Sequence, residues 1–420
     1  MSLARNPIPG AVAGALALLG SPAAAQPQPA PAPAVAPPTR VFVLTPQERA
    51  ALLPVQNAIT VKDWPSAQAA LPAAVAAAQG PDARYAVGRF QLEVGMGTGN
   101  TSMQMQGLDN LIASGQVPAS ELPVIYRNQG ILANKAGDKA RAEAAFAKVA
   151  ELTPGDPEAL VNLAQLKNDL SKPREAVDLV SRAIALKRGA GQPADESWYK
   201  YALKLAYDGR ADPPMGKAAS SLSRDLVANY PSKENWRDAL LIFRDVSGLD
   251  PAAELDVLRL MRASGALAGE RDWYDLIDGL YKAGNFAEAR TVLDDGAAKR
   301  MIDLKRSAFA ELSRLVGARL VGDRASLPAE EAKALAGSNG AMAVKIADAW
   351  YGHGEHRKAI ALYRAALTKS GVDPNLVNTR LAMALLAAGD RPAAEAMFRS
   401  LTGARAELGA FWLQWLQKAG

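Results

Sequence analysis

The sequence has no cysteine, few aromatic residues and only two histidines among its 420 residues. Without cysteine there is no disulfide framework, and there is no cleavage-site cysteine of the kind that a bacterial lipoprotein requires. Aromatic residues make up 6% of the chain while alanine is abundant, and this composition suits closely packed helices better than a β-sandwich or a parallel sheet. We therefore expect an all-α protein.

Long runs of one charge are also missing. Charged residues make up 22% of the chain, the net charge is +5, and the two signs are interleaved. No basic block reaches the length of a nucleic-acid-binding arm, so the sequence pI of about 9.2 indicates a solvated surface. The sequence predicts no nucleic-acid partner.

The N-terminus has the layout of a secretory signal peptide. The segment 1–10 carries one arginine and no acid, 11–20 is apolar, and small residues surround Ala23 and Ala25. We expect cleavage after about Ala25 and a location in a bacterial periplasm, or secretion beyond it. An uncleaved membrane anchor is the alternative, but the apolar run is shorter than the roughly 20 residues that span a bilayer. No later segment of the sequence resembles a transmembrane helix.

Residues 26–44 form the predicted linker, and six prolines fall within 26–38. Such a sequence favours extended polyproline structure and predicts a semi-rigid spacer. A capping box at Thr45 to Glu48, with proline at the first helical position, then predicts the start of the first helix.

A short phrase recurs along the chain, at 136–146, 283–293, 354–363 and 388–398. In each copy a glycine is followed five residues later by alanine and four residues after that by a large apolar residue. The glycine can end one helix in the left-handed conformation, and the alanine lets the next helix approach closely. The phrase therefore predicts repeated helical hairpins. Its positions are Gly137, Ala142 and Phe146; Gly284, Ala289 and Leu293; Gly354, Ala359 and Tyr363; and Gly389, Ala394 and Phe398.

Helical patterns extend over most of the first half of the chain. Four with weak repeat signatures, which we interpret as degenerate N-terminal hairpins within 45–119, cover 46–59, 64–79, 83–95 and 100–114. Four with a sharper signature cover 121–135, 139–152, 157–169 and 173–187. Ala142 and Ala176 are 34 residues apart, which sets the repeat period.

The sharper stretch resembles the tetratricopeptide repeat, a helical hairpin of 34 residues. With Pro154 at the closing proline of the motif, its packing positions hold Tyr126, Gly130, Ala142 and Phe146, and one repeat later Leu160, Leu163, Ala164, Ala176 and Ala183. Ser171 departs from the motif by replacing the turn glycine. The resemblance is good over 120–187, 270–297 and 340–402 and weaker elsewhere.

The resemblance implies a right-handed α-solenoid of about seven to nine hairpins over 120–404 and the N-terminal segment. Residues 405–420, with Phe411, Trp412 and Trp415, have no partner hairpin. We interpret them as a helix that caps the final repeat, with a docking helix as the alternative.

The resemblance also implies a concave face lined by the first helix of each hairpin, where partner proteins bind. Its inward positions hold Arg127, Asn134, Gln165, Asn168, Tyr199, Tyr274, Asp278 and Tyr281. Tyrosine and arginine are favoured anchors at protein interfaces. The carboxylate clamp of the family is incomplete, because Ile131 stands where it needs asparagine and Arg127 where it needs lysine, although Asn162 matches a further position.

Candidate catalytic and ligand motifs do not form a complete site. His353 and His356 flank Glu355, but no third metal ligand and no nucleophile elbow accompanies them. The glycine-rich stretch 95–102 lacks the Lys-Ser/Thr ending of a P-loop and follows a helix rather than a strand, so we expect an interhelical turn. We predict no catalytic residue, no metal and no cofactor.

The sequence thus favours a non-catalytic scaffold that docks other proteins or peptides of the cell envelope. The resemblance to exported repeat proteins implies outer-membrane assembly or polysaccharide secretion as the setting, without choosing between them. The alternative is a glycan-binding protein in which Tyr199, Tyr274, Tyr281 and Trp350 stack on sugars from one exposed wall. An enzyme is disfavoured, and the oligomeric state stays open.

Overall fold

The computed structural model describes residues 41–419, so the predicted signal peptide and residues 26–40 of the linker lie outside the described part. The chain divides into two compact units, the first ending at Lys172 and the second beginning at Pro173.

Between residue 41 and Lys172 the first unit contains seven helices. They are α1 Pro46–Thr60, α2 Trp64–Ala77, α3 Pro81–Thr98, α4 Thr101–Ser114, α5 Leu122–Lys135, α6 Lys139–Leu152 and α7 Pro157–Asp169. All seven agree with the predicted segments to within three residues at either end. The weakly patterned segment 45–119 forms regular hairpins as well, α1 with α2 and α3 with α4.

From Pro173 to Ala419 the second unit contains fourteen helices. They are α8 Pro173–Gly189, α9 Glu196–Asp208, α10 Pro213–Asn229, α11 Lys233–Val246, α12 Pro251–Ala263, α13 Gly269–Lys282, α14 Phe286–Ala298, α15 Ser307–Leu320, α16 Asp323–Ala336, α17 Gly340–Gly352, α18 His356–Leu367, α19 Pro374–Ala387, α20 Arg391–Arg399 and α21 Ala404–Ala419.

The regular structure between residues 41 and 419 is helical, apart from one isolated bridge between Asn339 and Ser370. This confirms the all-α helical-repeat fold. In the same residues no helix is both long and apolar enough to cross a bilayer.

The recurring phrase has the structural role that its spacing predicts. Its four glycines all adopt positive φ angles, between 76° and 87°, and each ends the first helix of a hairpin. The four alanines are completely buried, and the large apolar residues one turn later are at most 6% exposed. Ser171 takes the place of a turn glycine and adopts a positive φ of 58°.

Most of the glycine-rich stretch 95–102, which superficially resembles a phosphate loop, lies within the packed helices α3 and α4. Gly95 and Gly97 lie inside α3, and the turn itself consists of Gly99, with φ of 70°, and Asn100, whose side chain caps α4. A Cβ atom on Gly88 would lie 2.9 Å from the carbonyl oxygen of Gly107 on the facing helix. Glycine at this position allows α3 and α4 to pack backbone against backbone. The predicted interhelical turn is limited to Gly99 and Asn100.

Ion pairs link neighbouring hairpins at roughly one repeat length. Their partners are separated by 29 to 36 residues along the chain. Each pair joins residues of two successive hairpins, so the spacing of the pairs follows the length of one repeat. Examples are Arg127–Asp156, Arg141–Asp109, Arg210–Asp245 and Arg306–Glu270.

The C-terminal helix α21 covers the last hairpin, as predicted. The ring of Trp412 stacks on Phe398 of α20, with centroids 5.4 Å apart. Helix α21 also makes contacts that the sequence did not predict. The ring of Phe411 packs against Trp236 and Phe243 of α11, with ring centroids 6.1 and 5.5 Å apart.

A polar contact joins the same regions. The Gln414 amide donates a hydrogen bond of 2.8 Å to the carbonyl oxygen of Arg224 in α10, and Arg224 itself forms an ion pair with Glu407. Helix α12 in turn contacts both α19 and α21. The second unit is therefore closed on itself between its early helices and its last one, whereas an open array would leave its inner face free.

Candidate functional site

The predicted site residues of the first unit lie on a helix face that also exposes apolar side chains. Arg127 and Asn134 are half-buried on α5, seven residues apart. Val124 and Ile131 share that face because they lie three residues before and four residues after Arg127. They are 39% and 47% exposed. These four residues are named the α5 face below.

Polar contacts connect α5 to α7 at both ends. Arg127 donates a hydrogen bond of 2.9 Å to Asp156, the N-cap of α7. The Lys139 ammonium donates to Asn134 at 2.6 Å and lies 3.5 Å from Asp169, the last residue of α7. These bonds tie α5 to the two ends of α7, one of them directly and the other through Lys139 of α6.

Gln165 and Asn168 are half-buried on α7, three residues apart, with Asn162 one turn earlier. Side chains at this spacing lie on one face of a helix. The amides can donate and accept hydrogen bonds, which suits them to the backbone of an extended partner. Together with the α5 face they form a mixed apolar and polar surface.

Tyr199 does not belong to an accessible surface, which corrects its predicted role. It is only 2% exposed, and its ring lies edge-on against Tyr230, with centroids 6.1 Å apart. Burial also raises the pKa of its hydroxyl. Tyr199 packs in the core because it follows Trp198 on the face of α9 that contacts the neighbouring helices.

The other predicted residues of the second unit lie together on α13. Tyr274, Asp278 and Tyr281 follow one another at spacings of four and three residues. Tyr274 is 36% exposed and contacts Phe309 edge-on, while Tyr281 packs on Phe286. Asp278 forms an ion pair of 2.6 Å with Lys282. This face is partly occupied by its own contacts.

The four aromatic residues of the glycan hypothesis do not form one exposed wall. Trp350 is 2% exposed, and its indole N–H donates a hydrogen bond of 2.9 Å to Glu331. Tyr199 is equally buried. Tyr274 and Tyr281 remain, and both rest on neighbouring phenylalanines.

The two histidines have separate surroundings. The Nε2 atom of His353 lies 2.7 Å from Asp323, whereas His356 packs on Tyr351, with ring centroids 5.4 Å apart. Desolvation lowers the pKa of His356. Within residues 41–419 there is no group of three or more acidic and histidine side chains that could hold a metal ion.

The second unit contains a group of buried charges that the sequence analysis did not find. Arg259 forms two hydrogen bonds to Glu288, of 2.9 and 2.6 Å, and a third of 2.7 Å to Asp256. Arg405 donates to the other oxygen of Asp256 at 2.7 Å, and Arg380 pairs with Asp348. These six residues, Asp256, Arg259, Glu288, Asp348, Arg380 and Arg405, are named the buried ion cluster.

The buried ion cluster joins five helices. Asp256 and Arg259 come from α12, Glu288 from α14, Asp348 from α17, Arg380 from α19 and Arg405 from α21. Each member is between 0% and 7% exposed. Three arginines and three carboxylates are formally neutral, as buried charges must nearly be.

Electrostatics in the cluster follow from burial and pairing. Desolvation raises the pKa of Asp256, but the nearby Arg380, Arg259 and Arg405 outweigh it and hold the pKa below its usual value. At Asp348 desolvation prevails and raises the pKa, and Tyr363 donates a hydrogen bond of 2.5 Å to this carboxylate. Arginine does not give up its proton in proteins, so the three arginines stay charged and the cluster links the five helices through ion pairs.

A signal for this cluster exists in the sequence. Helix α12 carries buried apolar residues on all sides, namely Leu255, Val257, Leu258, Leu260 and Met261. A helix that is apolar all round is buried all round, so its charged residues must find partners inside the protein. The same holds for α19, where Thr379 and Arg380 lie among buried apolar residues.

Comparison with known proteins adds structural neighbours but no family assignment. No protein-family model matches the sequence, and no curated protein matches it. Among solved structures, a tetratricopeptide repeat protein from Parabacteroides merdae is 11% identical, with 81% of this chain and 99% of that chain covered and a TM-score of 0.26.

Two further structures are similar to a comparable degree. The Naa15/Naa10 complex bound to HypK-THB gives 12% identity, coverage of 88% of this chain and 68% of that chain, and a TM-score of 0.27. The apo form of RapI gives 10% identity, coverage of 76% and 96%, and a TM-score of 0.28. These TM-scores are too low to support an inference, and the helical-repeat fold rests on the hairpins of this chain.

Proposed function

We propose that this protein is a non-catalytic scaffold that docks a partner protein or peptide on the α5 face and the adjoining side of α7. The observation that carries the proposal is the exposure of Val124 and Ile131, which alternate along α5 with the half-buried Arg127 and Asn134. An apolar strip with arginine beside it has the composition of interface centres.

Polar side chains beside the two aliphatic residues can form hydrogen bonds with a partner. Arg127 keeps 36% of its side chain exposed although it pairs with Asp156. Gln165 and Asn168 supply amides one helix away. An extended peptide or a partner helix could bury the two aliphatic side chains and form hydrogen bonds to these groups.

We further propose that the scaffold works in the periplasm of a bacterium, among proteins of outer-membrane assembly or polysaccharide secretion. The signal-peptide pattern in 1–25 and the absence of cysteine support export without a lipid anchor. Sequencing the N-terminus of the protein recovered from a periplasmic fraction tests this, with Gln26 as the expected first residue. An intact Met1 in the cytoplasmic fraction would contradict it.

The docking surface can be tested by placing a photo-crosslinking amino acid at Ile131 in living cells. Leu53 on α1 is the matched control, because it lies in the same unit and is equally exposed, at 47%. We expect an adduct with a defined envelope protein from position 131 and none from position 53. Equal adducts from both positions, or an adduct from neither, would contradict docking at the α5 face.

The same sample distinguishes the glycan alternative. Retention of soluble polysaccharide in place of any protein adduct would favour sugar binding through Tyr274 and Tyr281. Substituting Ile131 with glutamate should abolish the protein adduct in the scaffold account and leave polysaccharide retention unchanged in the glycan account.

A further inference from the structure

The C-terminal helix α21 rests on helices that lie far from it in the sequence. Phe411 packs on α11, Gln414 bonds to the backbone of α10, and Arg405 pairs with α12. The connection from α20 consists of residues 400–403, of which Leu401 alone is buried. Helix α21 therefore meets the second unit as a separate helix would meet a binding groove.

The buried face of α21 has the residue pattern of a helix that docks in a groove. Arg405, Leu408 and Trp412 follow one another at spacings of three and four residues, with Phe411 beside them, and the four are between 0% and 4% exposed. Helices that bind in hydrophobic grooves present anchors at these spacings. Arginine and aromatic residues also supply most of the binding energy at protein interfaces.

One position of this face has no room for a side chain. A Cβ atom on Gly409 would lie 2.6 Å from the carbonyl oxygen of Phe398 in α20. A helix in this place therefore needs glycine four residues after its arginine and two residues before its phenylalanine. The spacing from Arg405 to Phe411 thus reads Arg-x-x-x-Gly-x-Phe.

The guanidinium group of Arg405 occupies a pocket of three carboxylates. Its Nη1 atom donates a hydrogen bond of 2.7 Å to Asp256. Its Nη2 atom lies 3.8 Å from Asp250, and its Nε atom lies 3.9 Å from Asp373. Asp256 is completely buried, whereas the side chains of Asp250 and Asp373 are 60% and 53% exposed. The pocket therefore surrounds one arginine with an excess of acceptors.

This pocket constrains what can occupy the place of α21. Without Arg405 the buried ion cluster would contain two arginines and three carboxylates, and an uncompensated buried charge is costly. A helix that takes the place of α21 must therefore bring a positive charge of its own. Buried ion pairs contribute little net stability, and their best-attested use is to fix the register of a helix against its partner.

We propose that α21 is an autoinhibitory helix, which occupies a helix-binding groove of the second unit until a partner helix with the same spacing displaces it. The partner carries arginine for the pocket of Asp250, Asp256 and Asp373, glycine at the contact with Phe398, and phenylalanine against α11. The inference is separate from docking at the α5 face, because every residue of the groove belongs to the second unit.

The test uses the full chain with a protease recognition site inserted between Thr402 and Gly403, which are both exposed. The chain folds intact and is then cut, so that α21 is held by its contacts alone. The probe is a synthetic peptide of residues 403–420 with a fluorophore on the exposed Lys418. Fluorescence anisotropy should show saturable uptake by the cut chain. The uncut chain should take up about tenfold less or lower still, because the tether raises the effective concentration of α21.

Variant peptides test the three features in competition with the labelled peptide. Phe411→Ala should weaken competition on the order of a hundredfold, as for loss of a buried aromatic ring. Arg405→Gln and Gly409→Leu should each weaken it about tenfold, through the unpaired carboxylates and the backbone clash. Gln417→Ala is the control, since Gln417 is exposed on the same helix, and it should compete like the unchanged peptide.

A designed helix separates the spacing from the rest of the sequence. It keeps the buried positions of α21 and has alanine or glutamine elsewhere, and its match has the arginine moved by one residue. We expect the first helix to displace the labelled peptide and the second to compete about tenfold less well, because its guanidinium misses the carboxylate pocket.

Three results would overturn the proposal. One is unfolding of the other helices when the chain is cut, measured by circular dichroism, because α21 would then belong to the folding core. Another is a cut chain that takes up no peptide over several days. The third is equal competition by the designed helix and its shifted match, or by Arg405→Gln and Gln417→Ala.

Discussion

Both units are built from the same kind of hairpin, but their ion pairs differ in burial. In the first unit, Arg127 and Asp156 pair at the surface with 36% and 26% of their side chains exposed. In the second, Arg259 pairs with Asp256 and Glu288, and all three are at most 8% exposed in their side chains. The repeat thus fixes how neighbouring helices meet, while the closure by α21 determines whether the remaining face is left for a partner.

The difference arises from the helices that carry these charges. Helix α5 has an exposed side with Val124 and Ile131, whereas α12 is surrounded by α13, α19, α21 and α11. Charges placed on α12 lose their water, and only pairing makes that tolerable. The first unit therefore has an exposed helix face, whereas the buried charges of the second unit hold the second unit closed.

The largest expected effect comes from breaking the buried cluster. Arg259→Met leaves Glu288 buried without the partner of its two hydrogen bonds, and we expect a loss of about 3–5 kcal/mol in the free energy of unfolding. The matched Arg127→Met in the first unit should cost about 0–1 kcal/mol, because surface pairs contribute little. Urea denaturation followed by circular dichroism gives both values. Equal costs would remove the distinction between the units.

Overpacking of the helix crossings should affect both units alike. Ala142→Leu in the first unit and Ala394→Leu in the second each insert three carbons at a completely buried position. We expect each to cost about 1–3 kcal/mol. The same denaturation experiment measures this, with the exposed Ala140→Leu as control. A neutral result at either buried position would show that the hairpin register there is wrong.

The first unit has a buried carboxylate of its own, which is satisfied differently. Glu48 is 4% exposed and accepts hydrogen bonds from the backbone N–H groups of Gly80, Thr45 and Gln79, at 2.7, 2.9 and 3.1 Å. The bonds from Gly80 and Thr45 contribute most to lowering its pKa from 4.5 to about 2.

Glu48→Gln is expected to cost less than the overpacking variants, about 0.5–2 kcal/mol at neutral pH, in line with the loss of a helix cap. Because the folded-state pKa lies below the unfolded one, the contribution of the carboxylate is full above about pH 4.5 and is lost as the pH falls towards 2. The difference between wild type and variant should therefore shrink over this range in urea melts. A difference that is constant with pH would contradict the assigned hydrogen bonds.

Sequence periodicity was sufficient to predict the local architecture. The start of α1 follows from the capping box at Thr45, and the hairpin turns follow from glycines such as Gly137 and Gly389. These signals act between residues within one repeat. The aromatic residues of α21 likewise predicted a helix that shields the last hairpin.

Long-range contacts could not be predicted in this way. Arg405 meets Asp256 across 149 residues, and Gln414 meets Arg224 across 190, and no local pattern indicates which distant helices come together. Tyr199 was misassigned for a related reason, because its contact with Tyr230, at the end of α10, is not marked by any local pattern in α9. Of the candidate site, Arg127 and Asn134 stay half-buried, and Val124 and Ile131 beside them stay exposed.

The closure of the second unit is tested most directly by a crosslink between α10 and α21. The natural chain has no cysteine, so Arg224→Cys with Glu407→Cys introduces the two thiols of the experiment. These residues form an ion pair although they are 183 residues apart. A short bifunctional maleimide should join them in the folded monomer and fail to do so in concentrated urea, as peptide mass spectrometry would show. Absence of the crosslink in the folded protein, with both thiols reactive, would mean that the second unit is an open array.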